Sequence, residues 1–233
     1  MVAVADSVVL VTGGRRGLGA ALVDEVLARG ARKVYATAQT QFADDRPGVH
    51  TRVLDVRSET SVAELASAAS DVQIVINNAG ALLPGSLLTG SMDDFATTFD
   101  INVYGPLRVA RAFAPALAAN GGGAIVNMHS VLSWLGGAGA YGASKAAIWS
   151  VTNSLRIELA AQRTHVLGVH AGFIDTDMIA DLDVPKASPG EVSRLIIDGL
   201  EAGAAEVLTD EATVKTKAAL SGPVELLTFD QSH

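Results

Sequence analysis

Residues 124–161, AIVNMHSVLSWLGGAGAYGASKAAIWSVTNSLRIELAA, decide how the chain is to be read. The short run Ala124–Met128 has the continuous apolar character of a buried strand. Gly136, Gly137 and Gly139 then mark a loop, and from Tyr141 to Ala161 the pattern is helical. Tyr141 and Lys145 stand four residues apart, so both side chains project from one helix face, one turn apart. A phenol beside a fixed ammonium is an acid/base device. The positive charge favours the phenolate and is expected to pull the tyrosine below its reference pKa near ~10. Ser130, at the strand end, can bring a hydroxyl to the same place. Tyr-x-x-x-Lys is also common on solvated helices, so its meaning depends on the rest of the chain.

Outward from this unit, short apolar runs alternate with helical patterns. Residues 7–12, 33–38, 51–56, 73–77, 124–128 and 165–170 read as strands, with a weaker one at 206–208. Helices are expected over 18–28, 61–69, 93–119, 141–161 and 189–201. The strands are continuously apolar rather than alternating, as in a parallel sheet covered on both faces. Strict β-α alternation then gives a Rossmann-type doubly wound α/β sheet of about seven strands flanked by helices. No repeat, linker or composition shift divides the 233 residues, so residues 1–233 are expected to form one domain. Residues 181–189, rich in Asp and Pro, are expected to be the most mobile loop.

Composition removes several function classes. Hydrophobic residues make up 49% and charged residues 18%, a globular rather than a disordered balance. The net charge is -8 and no dense Lys/Arg stripe is present, which argues against nucleic acid or an anionic membrane as partner. Without cysteine there are no disulfides or thiolate metal sites, and no metal is expected. The N-terminus lacks a basic region before its apolar run, and no apolar stretch nears the ~18 residues that cross a bilayer. A soluble, cytoplasmic protein is expected.

The first strand runs into Thr12-Gly13-Gly14-Arg15-Arg16-Gly17-Leu18-Gly19, directly before the first helix. Glycines permit a tight turn and close backbone approach, and the helix N-terminus offers free N–H groups to a phosphate. The spacing is Gly-x-x-x-Gly-x-Gly rather than the general dinucleotide fingerprint. Many strand-to-helix turns carry glycine for structure alone. The position between first strand and first helix favours the phosphate-binding reading.

With these residues in hand, the chain resembles the short-chain dehydrogenase/reductase family over nearly its whole length. Residues 12–19 match TGxxxGxG, and Asn77-Asn78-Ala79-Gly80 match NNAG. Ser130, Tyr141 and Lys145 match the family's Ser and YxxxK, and residues 171–176 resemble PGxxxT with Ala171 in place of Pro. The loop from Ser130 to Tyr141 is about two residues shorter than the family's usual spacing. Ser133 is the less favoured substitute for Ser130, and His129 is expected to face a neighbouring element rather than act.

The resemblance implies a carbonyl/alcohol oxidoreductase using a nicotinamide dinucleotide, with catalytic Ser130, Tyr141, Lys145 and Asn102. Asn102 would hold a water of the proton relay. Cofactor contacts are implied for Gly13, Arg15, Arg16, Gly17, Leu18, Gly19, Gln39, Asp55, Val56, Asn78, Ala79, Gly80, Tyr141, Lys145, Gly172, Ile174 and Thr176, with Asp55 at the adenine and Lys145 on the ribose hydroxyls. At the end of the second strand, Ala38 and Gln39 stand where an NAD enzyme commonly carries an acid. Arg16 holds the position of a 2′-phosphate ligand, with Arg15 beside it, so NADP(H) is preferred and NAD(H) remains possible. A small-molecule substrate would meet Leu132, Trp134, Leu135, Phe173, Met178 and Ile179. A homodimer or homotetramer would form through helices 93–119 and 141–161. The stripe Ile148, Val151 and Leu155 serves either that interface or the core. The alternative is a dinucleotide-sensing regulator without turnover, on the same fold. It would have no need of the four active-site residues together. A sugar-nucleotide epimerase is disfavoured because little chain follows the sixth strand.

Overall fold

The computed structural model describes residues 2–83 and 85–229. Seven strands form one parallel sheet in the order β3-β2-β1-β4-β5-β6-β7. They are β1 Val8–Val11, β2 Lys33–Ala38, β3 Val49–Val53, β4 Ile74–Asn77, β5 Ala124–Met128, β6 His165–His170 and β7 Glu206–Leu208. The helices are α1 Gly17–Ala28, α2 Glu59–Ala68, α3 Met92–Phe99, α4 Gly105–Ala119, α5 Gly139–Glu158, α6 Pro189–Ala202 and α7 Glu211–Ala218.

Alternation along the strands divides the core in two. Val9, Val11, Ile74, Ile76 and Val126 face α1 and α6, where Leu22, Val26, Ile196 and Ile197 are fully buried. Val8, Leu10, Val75 and Ile125 face the other layer, against Val62 of α2, Phe113 and Leu117 of α4, and Leu155 of α5. Each such side chain contributes roughly 1.5–3 kcal/mol by leaving water. Both faces are covered, which explains the unbroken apolar runs. Ile148 and Leu155 are buried and Val151 packs against the core, so the α5 stripe serves the core. No helix among the described residues is long and apolar enough to cross a membrane.

Three elements differ from the sequence reading. The third strand lies at Val49–Val53, not 51–56, and Leu54 N still donates to Ala38 O as the chain leaves the sheet. The expected single helix 93–119 is divided by a π turn at Asp100–Tyr104, closed by Gly105 N donating to Asp100 O. Pro106 has no N–H for the regular ladder, and a Cβ on Gly105 would come within 2.9 Å of Val56 Cγ2. Helix α7 was not expected. Thr213 is its one buried residue, so it shows no apolar stripe, although the Asp210–Thr213 capping box marks its start. The 181–189 loop is tied at its far end, where Ala187 N donates to Phe173 O and Ala187 O accepts from Asp175 N.

Candidate active site

Strand order reverses between β1 and β4, and open α/β sheets place ligands at the carboxyl edge of such a switch. A cleft of about 1690 Å³ lies there. One end is built from backbone. Thr12 Oγ1 accepts from Asn78 N and Ala79 N, each at 3.0 Å, while Asn78 Nδ2 donates to Thr12 O and Gly13 O. The two glycine-bearing turns are thereby locked together. Gly17 has φ +55°, and a Cβ on Gly19 would stand 2.0 Å from Gly13 O. Only glycine fits this close approach.

Arg16 supplies no side-chain cap to α1, and the first turn carries no acid. The amides of Gly17, Leu18 and Gly19 therefore form a positive helix end at the cleft, a fit for the pyrophosphate of a dinucleotide. Gly13, Arg15, Arg16, Gln39, Val56, Asn78, Ala79, Gly80, Gly172, Ile174 and Thr176 line the same cleft. Arg15 Nη1 lies 3.3 Å from Thr40 Oγ1 at the end of β2, whereas Arg16 crosses to Asp177 at 2.8 Å. Both partners of that second pair are about three-quarters exposed, so it adds little stability.

Asp55 differs from expectation. It is not among the lining residues; its neighbours Leu54 and Val56 are. The carboxylate is bonded by the Arg57 guanidinium and amide, with a further contribution from Gln39 at the cleft, and these hold it below the usual carboxylate range.

The other end of the cleft is built from side chains. Ser130 Oγ accepts from Leu132 N at 3.1 Å and donates to Ala171 O at 3.4 Å, near enough to the Tyr141 phenol to favour its ionised form. Ser133 Oγ instead accepts from Ser130 N at 3.2 Å, inside a capping box, and is not among the lining residues. Lys145 Nζ donates to Met128 O at 2.9 Å and sits 5.6 Å from the Tyr141 ring centre. Burial lowers the Lys145 ammonium to about 8. Burial also raises Tyr141 to about 12, against the Ser130 hydroxyl, which lowers it. The expected depression of the phenol is absent: burial outweighs it, and the Lys145 ammonium donates to the Met128 carbonyl.

Asn102 lies in the π turn, where Oδ1 accepts from Ala81 N and Nδ2 donates to Ala81 O and Ser144 Oγ, all within 3.0 Å. π turns recur at functional sites. Among the expected substrate residues, Leu132, Phe173, Met178 and Ile179 line the cleft, but Trp134 and Leu135 do not. A 3-10 turn at Val131–Ser133 carries Trp134 inward, and its ring stacks on His170 at 3.9 Å. The wall includes residues the sequence reading passed over: Leu82, Leu83, Leu87 and Leu88 after β4, Leu182 and Val184, and Phe229. Phe229 arrives because Gly136 N donates to Leu227 O and Gly136 O accepts from Phe229 N. Apolar residues in segments without helical or strand period were the available signal. Asp210 was missed too; its Oδ2 accepts from Gly172 N at 2.9 Å and steadies that turn.

The chain is 36% identical to a short-chain dehydrogenase from Burkholderia cenocepacia solved in complex with NADP, with a TM-score of 0.91 and 96% of each chain covered. Sulfoacetaldehyde reductase 2 of Chromohalobacter salexigens is 35% identical over 187 residues, 74% of each protein. An uncharacterized oxidoreductase of Staphylococcus saprophyticus is 27% identical over 92% of this chain and 99% of its own length. A family model described as short chain dehydrogenase matches residues 7–186, spanning both the glycine-rich turn and the Tyr141–Lys145 pair, and the protein belongs to the short-chain dehydrogenase/reductase family.

Proposed function

We propose that this chain, acting as one Rossmann unit, is an NADP(H)-dependent oxidoreductase that interconverts a carbonyl and an alcohol on an uncharged, apolar substrate. The observation that carries the reading is the convergence of the Ser130 and Tyr141 hydroxyls above buried Lys145, in the cleft that begins at the open α1 N-terminus. The bound dinucleotide would supply and accept the hydride. Ser130 Oγ and the Tyr141 phenol donate hydrogen bonds to the substrate oxygen as it gains charge. Tyr141, held as a protonated phenol through the neutral range, then passes its proton to that oxygen. Lys145 holds the ribose end beside Tyr141. Asn102 pins the Ala81 backbone that borders the cleft and, with a water, links Lys145 to solvent.

NADP(H) is favoured by Arg15 and Thr40 together at the end of β2, where Ala38 and Gln39 offer no carboxylate to repel a 2′-phosphate. This shifts the main phosphate contact from Arg16 to Arg15. The B. cenocepacia relative in complex with NADP supports the same choice. Substrate class follows from charge. Among the described residues the charged ones lining the cleft are Arg15, Arg16, Lys145 and Asp177; Arg16 and Asp177 neutralise each other, and Lys145 lies beneath Tyr141. The substrate end is walled by leucines, Phe173, Ile179 and Phe229, so among the described residues a sulfonate like that of sulfoacetaldehyde would meet no free cation there. Assembly through the outer faces of α4 and α5, where Ile157 is exposed, belongs to the same reading.

The experiment is a panel of uncharged ketones, aldehydes and secondary alcohols, with sulfoacetaldehyde, assayed by nicotinamide absorbance with both cofactors. Turnover of apolar carbonyls with NADPH, and none of sulfoacetaldehyde, is expected. Tight NADPH binding with no turnover anywhere would favour a dinucleotide sensor.

A further inference from the structure

Behind the β5 end lies a buried file of polar side chains that the proposed reaction does not use. Asn77 Nδ2 donates to Asn127 Oδ1 at 2.9 Å, and Asn127 Nδ2 donates to Thr152 Oγ1 at 2.9 Å. Thr152 Oγ1 is 2.8 Å from His129 Nε2, and His129 Nδ1 is 3.1 Å from His170 Nε2. His170 Nδ1 is 3.2 Å from the Ser130 carbonyl oxygen. All of these residues are buried. The file crosses β4, β5, α5 and β6 and ends on the main chain of the residue whose hydroxyl enters the cleft.

Few proton placements satisfy it. A carbonyl only accepts, so His170 must carry hydrogen on Nδ1. In a neutral His170, Nε2 then accepts, His129 donates from Nδ1, and His129 Nε2 accepts from the Thr152 hydroxyl. Every donor points toward Ser130 O. The competing placement sends the Thr152 hydroxyl to Ile148 O, also 2.8 Å away, and puts the His129 hydrogen on Nε2. It leaves His129 Nδ1 bare, so His170 would have to be an imidazolium donating from both nitrogens.

The surroundings oppose that charge. Lys145 and Arg156 approach from α5 and Lys217 from α7, all positive. Glu206 on β7 is the nearby anion, but it lies 3.6 Å from His170 Nε2 and is ion-paired with Lys217. Burial lowers both histidines, His170 to about 4.

We propose that His129 and His170 are positioning residues for Ser130, forming a one-way file of two Nδ1–H imidazoles that pins the Ser130 carbonyl and thereby aims its hydroxyl at Tyr141. The same carbonyl accepts from Ser133 N at 3.0 Å, so the turn is held from within and from the neighbouring strand. Such a file stiffens through mutual polarisation of its bonds. The kinetic part of this inference rests on the oxidoreductase reading; the proton placement does not.

The first test is therefore independent of turnover. Long-range proton–nitrogen correlation of the imidazoles between about pH 6 and 8 should show both rings neutral and protonated on Nδ1. An Nε2–H His129, or a charged His170, would overturn the file. The second test uses His170→Asn, which keeps a donor near the Nδ1 position, and His170→Phe, which fills the space without one. His170→Asn should hold kcat within about threefold, whereas His170→Phe should lose about tenfold, the worth of one buried hydrogen bond, with NADPH affinity unchanged. In a Ser130→Ala background, His170→Phe should cost nothing more. A folded His170→Phe with parental kcat, or a loss that persists without Ser130, would contradict the positioning role. If no substrate turns over at all, the oxidoreductase reading fails while the imidazole spectra still decide the file.

Discussion

The two ends of the cleft are made of opposite materials. At the β1–α1 turn the working groups are backbone amides and the requirement is the absence of side chains, enforced where a Cβ on Gly19 would meet Gly13 O. At the β5–α5 end the working groups are side chains, each held by its neighbours: Lys145 by Met128 O, Asn102 by Ala81, Ser130 by Leu132 N. A backbone site tolerates almost no substitution but depends on local sequence. A side-chain site can be dissected one group at a time, yet each group depends on what tertiary structure brings beside it. Binding and chemistry should therefore fail separately.

Gly19→Ala should have the largest effect on binding. The turn must move to admit a methyl, at a cost at or above ~3 kcal/mol, and NADPH binding should fall by roughly a hundredfold or more. Calorimetry and NADPH fluorescence would check this; retained affinity would mean that the turn is not a phosphate cradle. Ser130→Ala comes next, with an expected kcat loss of about a hundredfold at constant cofactor affinity, by analogy with removal of one oxyanion donor. Ser133→Ala should leave kcat near parental and lower Tm alone, since it holds the Ser130 amide.

The buried lysine gives a prediction in pH. Its pKa falls from 10.5 to about 8, so below about pH 8 the folded protein carries a buried charge that the unfolded chain holds freely in water. Between about pH 8 and 10 the unfolded state binds the extra proton, and stability rises with pH by up to ~1.4 kcal/mol per unit. Lys145→Met should remove this rise in the cofactor-free protein. Parallel Tm profiles for parent and variant would contradict the burial argument. The smallest effect is at the rim. Arg15→Ala should weaken NADPH about tenfold and spare NADH, while Arg16→Ala should change either by no more than about threefold. The reverse pattern would return the phosphate contact to Arg16.

The same contrast explains what the sequence disclosed. Strands β2, β5, β6 and β7 lie at the expected residues, because their apolar runs are local. The glycine-rich turn and the four-residue Tyr141–Lys145 spacing are local as well. Trp134 was misplaced because a single 3-10 turn reverses its direction, and Asp55 because Arg57 two residues on captures its carboxylate. The π turn at Asn102 depends on Pro106 and on Val56 packing against Gly105, which helical periodicity does not register. His129 and His170 are 41 residues apart, and only the β5–β6 pairing makes them neighbours. Phe229 reaches the cleft through main-chain bonds to Gly136, which carry no side-chain pattern.

The division of labour is tested most directly by measuring NADPH affinity and single-turnover carbonyl reduction on one preparation of Tyr141→Phe. The phenol oxygen is assigned to the substrate oxygen, which it hydrogen-bonds and protonates, so affinity should stay within about twofold of the parent while the reduction rate falls by roughly a hundred- to ten-thousandfold. A Tyr141→Phe protein that reduces the carbonyl at the parental rate would contradict the account.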